Sequence, residues 1–93
     1  MDTITKEKVE KYFKVSEEAF AAAKKSGNRS GLAKEREDFI DMIGRYISDA
    51  RHFFGKGDLV NAFAALNYAH GWLDAGARIG LFDVHDSRLF TAD

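Results

Sequence analysis

The chain has no cysteine and no proline. Without cysteine there are no disulfide staples and no thiolate chemistry, a usage that fits the reducing cytoplasm, which is the compartment expected. Without proline, nothing interrupts a long helix. No run of roughly 18 apolar residues is present, so no segment is expected to span a membrane. The opening stretch, MDTITKEKVEKYF, is charged and lacks an apolar core, so it does not read as a signal peptide. An excess of one charge sign is missing too. Lys and Arg number 14 against 15 Asp and Glu, a formal net charge of −1. No global field draws polyanions, and nucleic acid is not a favoured partner. No catalytic or cofactor-binding motif rises above a weak match, and no cofactor is assigned.

What is present is a globular composition. The 93 residues are 45% hydrophobic and 31% charged, which is enough for one domain with a modest core. There is no internal repeat and no low-complexity segment.

Apolar residues recur at helical spacing in three stretches. The first helix is expected over about 5–25, with Val9, Tyr12, Phe13, Ser16, Ala19, Phe20 and Ala23 on one face. Gly27 is placed at its left-handed C′ position. The second is expected over about 31–54. Leu32, Phe39, Tyr46 and Phe53 form one heptad row, and Ile40, Ile47 and Phe54 form a second beside it. Arg36 falls where that seam wants an apolar residue, so the first turn or two is expected to splay. Asp58 suits the N-cap of a third helix over about 58–79, with Gly80 as its C′ residue. Two short connections make neighbours antiparallel. The expected fold is all-α, a three-helix up-and-down bundle. A tail over 82–93, with Phe82, Val84, Leu89 and Phe90, is expected to pack in part over an open end.

The third helix is the most informative. Its apolar arc covers well over half the wheel, with Ala62, Ala65, Ala69 and Gly76 near the centre. Such a helix must be covered by its neighbours. A narrow polar stripe of Asn67, His70, Gly71, Asp74 and Arg78 is then the part left uncovered.

The strings Gly57-Asp58, Asn61-Ala62, Tyr68-Ala69-His70-Gly71 and Leu73-Asp74, with Ala65, Gly76 and Gly80-Leu81, carry a likeness. So do Tyr46, Asp49, Ala50 and the Phe53-to-Gly57 turn. From about Phe39 to Leu81 the chain resembles an archaeal family known as domain of unknown function 357. The resemblance implies a small three-helix bundle and brings no established reaction.

Four groups of residues are candidate sites. In the polar stripe, His70 and Asp74 are four residues apart, so a carboxylate can hold the imidazole. Gly71 in the same stripe costs about 1 kcal/mol against Ala, and core packing does not explain it. It permits close approach of a ligand or a second backbone; an ordinary solvated face with a tolerated glycine accounts for the same pattern. Metal binding is the second candidate. His52, His70 and His85 sit on three different segments without convergent ligand spacing, so no metal is assigned. Third, Arg45 and His52 share a helix face at a spacing that loosely resembles the Arg-to-His motif of the helical HEPN ribonucleases. The same spacing recurs at Arg78 and His85, and those domains pack more helices than this chain supplies. Fourth, the aromatic residues follow core spacing, but Tyr68 and Trp72 lie at the flank of an arc wider than two neighbours can cover. They are the candidate oligomer contact.

The functional reading is a non-enzymatic protein-interaction or self-association module using the third helix. Its partner is a second copy or another, unidentified protein. The rival reading is a small-ligand or RNA-processing domain using His70 and Asp74, or Arg45 and His52. That rival requires polar groups converging in a concave site.

Overall fold

The computed structural model describes residues 3–90. The last three residues of the expected tail, 91–93, lie outside the described residues. Helix α1 spans Lys6–Lys25, α2 Ala33–Gly55 and α3 Leu59–Arg78, and among the described residues there is no strand. Facing side chains fix the directions. Phe39 meets Trp72 and Tyr46 meets Tyr68, so α2 and α3 run antiparallel. Phe13 meets Phe54 while Arg51 reaches Glu17, so α1 and α2 do the same. The architecture is an up-down-up three-helix bundle.

The most extensive packing is between α2 and α3. Small buried residues make this possible. Ala50 on α2 and Ala62, Ala69, Gly76 and Ala77 on α3 are all buried, which lets the backbones approach. Two core clusters stack along the bundle. One centres on Val9, Ala50, Ala62 and Leu66 inside an aromatic shell that includes Tyr12, Phe13, Phe54 and Phe63. The other joins Ile43, Ile47 and Leu73 to the chain end, through Leu81, Phe82, Leu89 and Phe90. The tail is therefore part of the core as far as residue 90.

Local chemistry sets the helix ends. Thr5 caps α1 and Asp58 caps α3, each side chain accepting from a backbone N–H three residues on. At the far end of α3, Gly80 has φ 86°. There the Leu81 N–H donates to Gly76 O and the Gly80 N–H to Ala77 O, a Schellman closure.

Three expectations require correction at the opposite end of α1 and the start of α2. Gly27 is not left-handed; the positive-φ glycines are Gly31, Gly57 and Gly80. α1 ends instead through Ser26, whose hydroxyl and backbone N–H both donate to Ala23 O. Leu32 is not in the seam. It is the N-cap residue of α2 and is exposed, because Gly31 turns the chain just before it. Arg36 does not splay the helix. Its guanidinium donates to the carbonyls of Ala23, Lys24 and Ser26, and to Leu81 O on the chain-end segment. A cation thus satisfies the orphan carbonyls at the negative end of α1 and ties them to the end of α3. The guanidinium also lies 5.8 Å from the centre of the Phe82 ring.

Candidate functional site

The two flanks of α3 meet different surroundings. Phe63 packs edge-on against Tyr12 of α1, 4.8 Å between ring centres, so the flank bearing Phe63 faces α1. By helical register His70 falls on that side. His70 is half-buried, and its Nδ1 is buried with no hydrogen-bond partner. Asp74 is half-buried as well, whereas Asn67, Gly71 and Arg78 are exposed. Burial therefore divides the stripe, with His70 and Asp74 half-covered and Asn67, Gly71 and Arg78 open.

The flank toward α2 is open. Tyr68 stacks on Tyr46, ring centres 5.4 Å apart, yet remains 63% exposed. It stands as a ridge between two hollows. The larger, about 410 Å³, is lined by Phe39, Asn67, Tyr68, Gly71, Trp72 and Ala75. The smaller, about 200 Å³, lies toward the start of α3 and includes Tyr46, Asp49, Phe53 and Asn61 in its lining. A Cβ built on Gly71 would meet nothing within 4 Å, so the larger hollow opens directly onto that backbone.

The uncovered surface is wider than the thin polar stripe expected from the sequence, since it takes in apolar side chains beside Asn67, Gly71 and Arg78. Among the described residues the exposed large hydrophobic side chains are Leu32, Val60, Tyr68 and Ile79, and the last three all belong to α3 or its C-cap. They fall on one side of the helix with Ala64, Gly71 and Ala75 between them. The reason is geometric. With α1 on one side and α2 on the other, an apolar arc wider than half the wheel cannot be covered. Val60 had no signal of its own in the sequence. Phe39 and Tyr46 had one, as members of a heptad row, but the row does not say which α3 residues they meet.

Charges are sparse here. Asp58, at the start of α3, has its carboxyl held below its ordinary pKa of 3.8 by hydrogen bonds from the Asn61 side chain and backbone. No comparable charged cluster lines the larger hollow, where the polar side-chain groups are the Asn67 amide, the Tyr68 hydroxyl and the Trp72 indole N–H. Arg45 is paired with Asp41 at 2.9 Å, and both side chains are exposed. His52 is exposed, its ring edge-on to Phe53. His85 lies 2.8 Å from Asp83 on the chain-end segment. Arg45 and His52 therefore stand on an open helix face rather than in a concave site. Among the described residues, no three His, Cys, Asp or Glu side chains are grouped to hold a metal ion. No helix among the described residues is long and apolar enough to cross a membrane.

A family model described as "Protein of unknown function (DUF357)" matches residues 11–82, and the chain belongs to that family. The match takes in most of α1 as well as α2 and α3, and extends to Phe82. No curated protein and no solved structure matches the chain.

Proposed function

We propose that this member of the DUF357 family is a non-enzymatic interaction module whose working surface is the open face of α3. One observation carries the reading. Val60, Tyr68 and Ile79 are 64%, 63% and 53% exposed, and they share one side of one helix. Scattered exposed hydrophobics need no explanation, but an aligned set beside an apolar hollow marks a contact surface. Tyrosine at the centre fits, since it offers a large amphipathic contact area with little side-chain entropy to lose. A reaction centre on the same face has less support, because polar groups do not converge in the hollow.

Site-specific photo-crosslinking tests this. A benzophenone side chain at Ala75 is expected to join the chain to a protein, either a second copy or another species, in an extract of the native cell. The same probe at Lys14, on the exposed side of α1, is the control. Equal cross-linking at the two positions would overturn the reading.

A further inference from the structure

We infer that the occupant of this face is a second copy of the chain, with α3 against α3, antiparallel about a two-fold axis level with the midpoint of residues 69 and 70. The inference rests on the reading of α3 as an interaction surface and names its partner.

The geometry of the larger hollow is the starting point. Tyr68, Gly71, Trp72 and Ala75 stand at i, i+3, i+4 and i+7, which is the four-residue hole that receives a side chain from a facing helix. A two-fold axis at that level reverses height along the helix and keeps lateral position. Tyr68 lies about 2 Å below the axis level, and its side chain leans toward the helix N-terminus. The hole is centred about 3 Å above it. The partner's Tyr68 is therefore delivered to the hole, and the exchange is reciprocal, as a closed two-fold interface requires. Gly71 is the wall that lets the ring approach, since a Cβ there has open space to fill.

The rest of the face agrees. Ala64 comes opposite Ala75 of the other copy, so small residues meet where the backbones are closest. At each end Val60 lies under the aliphatic stem of the other copy's Arg78. Charge selects the direction. An antiparallel pair holds the two Arg78 residues about 26 Å apart along the axis, well beyond the screening length of about 8 Å. A parallel pair would set them against each other. One helix face is a small interface, below about 1,200 Å² in total, so weak, transient association is expected.

The chain has no cysteine, which gives a clean background for disulfide trapping. Single variants Ala64→Cys and Ala75→Cys are oxidised separately and as an equimolar mixture, alongside sedimentation equilibrium of the unmodified chain up to about 0.5 mM. The expected result is a concentration-dependent dimer and a disulfide in the mixture only, because like positions lie about 16 Å apart along the axis. Gly71→Leu fills the hole and is expected to weaken the dimer at least tenfold, with helical circular dichroism retained. Disulfides within each single variant would overturn the antiparallel pairing and leave the interaction reading standing. A strict monomer at the highest concentration would overturn self-docking. The interaction reading would then fall only if the Ala75 cross-linker also captured nothing above its control.

Discussion

Gly71 and Gly76 sit five residues apart on one helix and meet opposite surroundings. A Cβ on Gly76 would collide with Phe82 Cε2 and come within 3.3 Å of Phe39 Cδ2. A Cβ on Gly71 would touch nothing. Each glycine costs helix stability, about 1 kcal/mol relative to alanine. At 76 the cost is offset within the chain, because the missing side chain is the seat of a fully buried aromatic ring. At 71 no contact within the chain offsets it. The difference teaches where to look for function: the glycine the fold explains belongs to the core, and the one it does not explain faces outward beside the exposed Tyr68.

The contrast is broken most directly by removing the ring. Phe82→Ala leaves a cavity over Gly76 and takes away the aromatic face beneath Arg36. A loss of about 3–5 kcal/mol is expected in urea unfolding, a large fraction of what so small a domain has. The Tyr68 face should be left as it was, so dimer affinity measured below the unfolding range is expected to be unchanged.

Filling the seat is the next largest change. Gly76→Ala gains helix propensity but drives a methyl into a ring that has no exposed edge along which to retreat. Overpacking of about 1–3 kcal/mol is expected to outweigh the gain, giving a lower thermal midpoint. A midpoint raised instead would mean that Phe82 does not occupy the seat.

Gly71→Ala is the matched substitution and should act in the opposite sense. With open space around the new methyl, the monomer is expected to gain about 0.5–1 kcal/mol, measured at concentrations too low for association. At high concentration the same methyl narrows the hole that receives Tyr68, and the dissociation constant is expected to rise. A glycine whose replacement stabilises one chain and weakens the pair has its role between molecules.

The sequence made some of this contrast legible. Spacing alone placed Gly76 inward and Gly71 on the outer stripe, and three periodic stretches with two short connections gave the bundle. Asp58 and Gly80 were read from short-range rules that depend on a few neighbouring residues. The same kind of rule misplaced Gly27, because α1 closes through Ser26 instead, and the other failures turned on tertiary packing. Arg36 looked like an error in the seam because its partners, the carbonyls of Ala23, Lys24, Ser26 and Leu81, lie 10 to 45 residues away. Phe82 gave no sign that its seat was Gly76, since the turn that brings it back needs the left-handed Gly80 in place. The open face was read only in part: Tyr68 was placed on the surplus flank, but Val60 and Ile79 were not. A wheel shows how wide an apolar arc is, but not which part of it two neighbours leave bare.

Acid should sharpen the comparison with the smallest effect, because it acts on the segment near the covered glycine and not on the open hollow. The Asp86 carboxylate accepts from the backbone N–H and guanidinium of Arg88, and its backbone carbonyl accepts from Leu89 and Phe90. The hydrogen bonds from Arg88 hold the carboxyl below its ordinary pKa of 3.8. Asp58 is depressed in the same direction by Asn61. A carboxyl lowered on folding stabilises the native state above its unfolded pKa, and that contribution is lost as pH falls through the folded value. The thermal midpoint is therefore expected to be insensitive to these two groups at neutral pH and to drop slightly below about pH 4. Asp86→Asn should remove the tail's share of that drop, whereas Asp58→Asn keeps a competent cap and should remove only the share belonging to the start of α3. Amide exchange separates the two. Leu89 and Phe90 are expected to lose protection first in acid, while the amides flanking Gly71, held within the ladder of α3, keep theirs.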